Sequence, residues 1–177
     1  MKTMKTMAVA TLVLVSGYSM AAAPQLHARK TTVIHASVDK VWAAVKDFDG
    51  LNTWHPAVAK DQIVEGKNNT VGAVRLLTLQ DGGTIKEKLL NFSAAGHRFK
   101  YSIIEGVLPV SGYESSLAVK SIAADKTLVT WSGSFKRKDL GDHPADNAND
   151  KTAVDAIGGV YQGGLDNLKK LVEAKSK

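Results

Sequence analysis

Glu87 lies in the stretch Thr84 to Phe92 (TIKEKLLNF). Alternation there puts Ile85, Glu87, Leu89 and Asn91 on one face and Thr84, Lys86, Lys88, Leu90 and Phe92 on the other. If the first face turns inward, the carboxylate enters an apolar setting and needs a partner. Tyr101, Tyr113 and Tyr161 carry hydroxyls able to donate to it. A carboxylate beside a tyrosine is also a pairing that general acid–base catalysis can use. The alternative is a solvated carboxylate between Lys86 and Lys88. Trp131 shares a face with Val129, Gly133 and Phe135, and Tyr101 shares one with Phe99 and Ile103. Large side chains at alternate strand positions build either a core or the wall of a ligand cavity. Glu87, Tyr101, Tyr113, Trp131 and Tyr161 are therefore the candidate cavity residues. Trp54, His55 and Pro56 form a second group. They mark either a cavity mouth or partner surface, since an exposed Trp beside His anchors an interface well, or a Trp that closes the core with His facing water.

Other chemistries find no support. The five histidines, His27, His35, His55, His97 and His143, form no ligand pair at metal-binding spacing, so no metal site is expected. The acidic loop Asp142 to Asp150 lacks the glycine and glutamate that a calcium loop needs. Ser132-Gly133-Ser134 lies in a strand pattern rather than a nucleophile elbow, and no glycine-rich phosphate loop follows a strand. The chain has no cysteine, which excludes disulfides, thiolate metal sites and C-x-x-C-H haem attachment. No cofactor and no catalytic residue is assigned.

These residues need elements to carry them. Lys2 and Lys5, the apolar run Met7 to Val15 and the small residues Ser19-Met20-Ala21 have the layout of a secretory signal peptide, residues 1–21. The apolar run is too short to span a bilayer. A single domain over 22–177 remains, exported to the periplasm or beyond. The formal charge of +6 becomes +4 without Lys2 and Lys5. The basic residues are mostly scattered and show no aromatic interleaving, which argues against nucleic acid. An acidic protein partner suits a modest positive field.

Lys30 to His35 reads as a strand. Ser37 caps a helix with Val38, Val41, Trp42, Val45 and Phe48 on its apolar face, ended by Gly50. One further turn fits before Pro56. Six strands follow: Asp61 to Glu65, Val71 to Gln80, Thr84 to Phe92, Phe99 to Glu105, Tyr113 to Ile122 and Leu128 to Lys136. Asp81-Gly82 is a hairpin signal between two of them. A polar loop leads to a long helix, Ala153 to Val172, with Val154, Ile157, Tyr161, Leu165, Leu168 and Val172 on one face. Gly158, Gly159, Gly163 and Gly164 interrupt it at a cost of roughly 1 kcal/mol each. They imply either close approach of another backbone or a small cavity where the helix crosses a concave sheet. The expected fold is α+β: a curved antiparallel sheet of about seven strands wrapped round a long C-terminal helix, the helix-grip arrangement, with two short helices after the first strand.

That order resembles the SRPBCC superfamily of START-like, pollen-allergen-like and polyketide cyclase-like domains. The matching segments are Asp47-Phe48-Asp49-Gly50-Leu51 with Trp54-His55-Pro56, Glu105-Gly106 with Leu108-Pro109-Val110 and Tyr113, Trp131-Ser132, and Gly164 to Lys169. FDGLNTWHPAV together with GGVYQGGLDNLK most resembles the MxaD-type periplasmic accessory proteins of methanol oxidation. That resemblance implies a protein without redox chemistry of its own. It would assist electron transfer between a quinoprotein methanol dehydrogenase and its c-type cytochrome. The superfamily also implies two other roles: a carrier of a small hydrophobic ligand, or a cyclase or dehydratase using Glu87 with a tyrosine.

Overall fold

A computed structural model describes residues 23–175, so residues 1–21, read above as a signal peptide, lie outside the described residues. The elements run β1 (Leu26–Ile34), α1 (Val38–Val45), a 3₁₀ turn (Leu51–Thr53), β2 (Val58–Glu65), β3 (Val74–Leu79), β4 (Thr84–Ser93), β5 (Arg98–Gly106), β6 (Val110–Ala123), β7 (Lys126–Arg137), a second 3₁₀ turn (Asp146–Ala148) and α2 (Asp150–Ala174). The seven strands form one antiparallel sheet in the order β1-β7-β6-β5-β4-β3-β2. β2 to β7 are a meander, and β1 adds to the free edge of β7. The first strand and the second therefore occupy opposite edges, and α1 with its following turn carries the chain between them. The helix-grip expectation holds. Of the two short helices expected, the second is a single 3₁₀ turn, because Pro56 leaves no room for more.

Local chemistry explains the boundaries. Gly82 takes φ +87° at the β3–β4 turn, and Asp81 Oδ1 accepts from Gly83 N–H at 2.9 Å. That turn sets the register, placing Thr78 opposite Thr84 and Arg75 opposite Glu87. β3 starts three residues later than expected, after Gly72 at φ +94°. β6 starts three residues earlier, with an irregularity between Ser111 and Glu114 where Gly112 takes φ +55°. A register shift between Leu89 and Asn91 corrects the simple alternation of β4: Asn91 is exposed, whereas Phe92 packs against the core.

Asn149 caps α2, its side chain accepting from Thr152 N–H at 2.9 Å. Ala153, Ile157, Tyr161, Gly164, Leu165, Leu168 and Val172 are its buried residues. The four glycines do not share one role, so neither close approach nor a cavity accounts for all of them. A Cβ on Gly164 would lie 2.6 Å from His55 Cδ2 and 2.8 Å from Trp131 Cζ3. At Gly159 and Gly163 nothing lies within 4 Å of such a carbon, and at Gly158 only the Lys30 side chain does, at 3.7 Å. Close approach is thus the role of Gly164 alone.

Candidate functional site

The structure gathers all five candidate cavity residues between the sheet and α2, and all five are buried. β5 contributes Tyr101, β6 Tyr113 and Ser115, β7 Trp131, and α2 Tyr161. The Trp131 and Tyr161 rings stack with centroids 4.7 Å apart. Trp131 Nε1–H donates to Tyr101 Oη at 2.9 Å. Tyr101 and Tyr113 hydroxyls lie 3.4 Å apart, Tyr113 and Tyr161 2.7 Å, and Tyr161 and Ser115 2.8 Å. Ser115 Oγ–H donates to the Ser132 carbonyl at 3.0 Å.

The two ends fix the direction of this chain. An indole N–H only donates and a carbonyl only accepts. Each hydroxyl between them therefore donates one step onward, from Tyr101 through Tyr113 and Tyr161 to Ser115. Each has one proton to give, and each proton is already used. Burial raises all three phenol pKa values: Tyr101 to about 12, where nearby Glu87 adds to the effect, and Tyr113 and Tyr161 also upward. These tyrosines stay neutral.

None of them is the partner of Glu87, which corrects that expectation. The partner is Arg75, one strand away. Arg75 Nε and Nη2 both reach Glu87 Oε2, at 2.8 and 2.6 Å. Arg75 Nη1 donates to the Phe48 carbonyl at 2.5 Å and lies 3.3 Å from Asp61 Oδ2. The guanidinium sits over the Phe48 ring, 4.2 Å from its centroid. Asp61 Oδ2 also accepts from Leu51 N–H at 3.0 Å, but its Oδ1 is buried and has no hydrogen-bond partner among the described residues. Burial raises the Asp61 pKa to about 6 against the opposing pull of Arg75 and the Leu51 amide. Burial likewise raises Glu87, again opposed by Arg75. One cation therefore holds two carboxylates and the end of α1 together. The Asp81-Gly82 signal alone would have paired residue 75 with residue 88; the loop holds three residues, 80–82, closed by Leu79 N–H on the Gly83 carbonyl, and that brings Glu87 opposite Arg75. Its face-mates Leu77 and Leu79 mark the side as inward.

Trp54 and His55 are buried, at 4% exposure each, so neither supplies partner surface; only Pro56 is exposed. The reason is a set of local bonds. His55 Nδ1 accepts from Ala57 N–H at 3.2 Å, which leaves the ring proton on Nε2 to donate to the Val160 carbonyl at 2.9 Å. Burial lowers the His55 pKa, with the Val160 bond opposing and Arg75 adding to the fall. Asn167 Nδ2 donates to the Trp54 carbonyl at 2.9 Å. His55 and Asn167 thus fasten the post-α1 turn to α2, and Gly164 lets the imidazole come close enough.

Little enclosed space remains among these buried residues, although an open groove of about 620 Å³ runs outside them between α1 and α2, past Ala44, Thr53, Leu168 and Leu171. A void of about 70 Å³ lies among Leu51, His55, Leu77, Glu87, Leu108, Tyr113 and Ile157. A second of about 10 Å³ touches Arg75 and Tyr101. Pockets for small molecules usually measure about 300–1,000 Å³.

The sequence profile of the family described as "polyketide cyclase / dehydrase and lipid transport" matches residues 25–173. The chain belongs to that family. Among solved structures it is similar to the protein XoxI of Bacillus cereus, with 28% identity and a TM-score of 0.74 over 85% of this chain and 98% of that one. A Nitrosospira multiformis protein is 26% identical, with a TM-score of 0.69 over 86% and 99%. The Zhui aromatase/cyclase of Streptomyces sp. R1128 is 18% identical, with a TM-score of 0.69 over 87% and 97%, a likeness of fold alone. No curated protein matches the chain. Among the described residues, no cluster of three or more His, Asp or Glu side chains is placed to hold a metal ion, and no helix is long and apolar enough to cross a membrane.

Proposed function

We propose that this family member is an exported, non-catalytic accessory protein that works through its outer surface. In this reading it assists electron transfer from a quinoprotein methanol dehydrogenase to its c-type cytochrome and carries no redox centre of its own. The observation that carries the reading is the filled interior. The side chains that would line a ligand cavity bond to one another, and about 70 Å³ remains between them. Glu87 is held by Arg75 and the tyrosine protons are used, so acid–base chemistry of the cyclase kind has no free pair to work with. The likeness of FDGLNTWHPAV and GGVYQGGLDNLK to MxaD-type proteins supplies the partners, and the signal-peptide layout supplies the periplasmic location.

The test adds the purified mature chain to methanol dehydrogenase and its cytochrome and follows methanol-dependent cytochrome reduction. A faster rate supports the role, and an unchanged rate refutes it. A thermal-shift screen against fatty acids and aromatic polyketides should show no stabilisation. A saturable shift would instead favour a carrier.

A further inference from the structure

The outward face of β1, β4, β5, β6 and β7 carries the exposed cations Arg29, Lys88, Arg98 and Lys100. Register places Arg29 opposite Ser132, Lys88 opposite Ser102, Lys100 opposite Ser116 and Arg98 opposite Ala118. A stable sheet face commonly sets cations opposite carboxylates. Lys86 opposite Glu105 follows that pattern, whereas at these four positions hydroxyls and a methyl group take the carboxylate's place. Among the described residues Arg29, Lys88 and Arg98 pair with no carboxylate, while Lys100 pairs with Glu114 at 2.5 Å. Between Arg29 and Lys100 the face is hollowed by about 420 Å³, with Ser116, Ser132 and Ser134 along its floor; Glu114 also lines it but is taken up by Lys100, which leaves Arg29 as the cation there with no carboxylate among the described residues.

We propose that this outer sheet face, centred on the hollow between Arg29 and Lys100, docks an acidic protein surface. The proposal rests on the accessory role above and adds which face is used and what charge the partner presents. One Asp or Glu side chain of the partner would enter the hollow, meet Arg29 and take hydrogen bonds from the serine hydroxyls, while others meet Lys88 and Arg98 on the sheet face outside it. Charge complementarity of this kind speeds encounter and fixes orientation. A protein suits the site better than a membrane. Elements that lie on membranes project Trp, Phe or Leu, and none of these lines the hollow.

The experiment compares two charge-reversed proteins, both checked for wild-type melting temperature. One carries Arg29→Glu with Lys88→Glu on the sheet face. The control carries Lys46→Glu with Lys170→Glu on the helical side. All four positions are exposed and break no ion pair among the described residues. The probes are the purified dehydrogenase, the purified cytochrome, a labelled Asp/Glu-rich peptide, and phosphatidylglycerol vesicles. Wild type should bind the peptide and one of the two proteins, more weakly as salt rises. The sheet-face variant should bind at least about tenfold more weakly and the control within about twofold. Equal loss in both variants, no binding of the peptide by wild type, or binding of vesicles but not peptide would each overturn the proposal. If the peptide follows the expected pattern while dehydrogenase and cytochrome both fail to bind, the docking face stands and the methanol-oxidation reading falls.

Discussion

Gly164→Ala tests how the long helix meets the sheet. The added methyl would stand 2.6 Å from His55 Cδ2 and 2.8 Å from Trp131 Cζ3, with His55 Nε2 at 3.1 Å. Both rings are held. Trp131 stacks on Tyr161 and donates to Tyr101, and His55 bonds to the Val160 carbonyl and the Ala57 amide. Overpacking of a filled core costs about 1–3 kcal/mol. Displacing the imidazole weakens two hydrogen bonds, each contributing about 1 kcal/mol. Against this, alanine is better than glycine in a helix by about 1 kcal/mol. The balance is a loss of about 2 kcal/mol, a fall in Tm of roughly 4–8 °C for a chain of this size. Gly159→Ala supplies the same helix gain with nothing within 4 Å to strike, so its Tm should rise by roughly 2–4 °C. Calorimetry or urea unfolding of the two variants reads both signs. A Gly164→Ala protein as stable as wild type would refute the close-approach account.

Arg75→Leu leaves Glu87 and Asp61 as buried carboxylates without their cation, and urea unfolding should show a loss of about 3–5 kcal/mol. The folded-state pKa of Asp61, about 6, lies above its ordinary value of 3.8. Its contribution to stability is thus fully present below about pH 4 and is lost as pH rises through about 6. Wild type should therefore lose ground against Asp61→Asn across that window, and a difference constant from pH 4 to 7 would count against the assignment. His55 acts in the opposite sense: its lowered pKa favours the folded state above 6.5, an advantage lost as pH falls. Tyr161→Phe removes a hydroxyl bonded to Tyr113 and Ser115 and should cost about 1 kcal/mol by thermal unfolding. Gly133→Ala drives a methyl against the Tyr161 hydroxyl and to 3.0 Å from the Glu114 carbonyl, and should cost about 1–3 kcal/mol in the same assay.

The sheet and its helix were legible because their signals are local. Period-two alternation, the Asp81-Gly82 turn and the three-four spacing from Ile157 to Val172 each specify an element without reference to the rest of the chain. The same alternation set Glu87 beside Ile85 and Leu89 while leaving open whether that face turned inward, and the helical spacing put Tyr161 on the apolar face of α2. Asn91 escaped because a register shift after Leu89 leaves no mark in composition. His55 escaped because its burial depends on Val160, 105 positions away, and on the absence of a side chain at Gly164.

What the amino-acid order determined by itself, then, is the number and order of the strands and the long helix that closes on them. Which inward residues bond to which was decided only by tertiary structure. A tyrosine hydroxyl and a carboxylate on neighbouring inward faces look like partners in sequence. In the folded chain Arg75 reaches Glu87 with two nitrogens, and the hydroxyls run in series from Trp131 to the Ser132 carbonyl. A buried carboxylate is stabilised more by a guanidinium than by a neutral hydroxyl. Once it has that partner, the phenols are left to satisfy one another and the chamber closes.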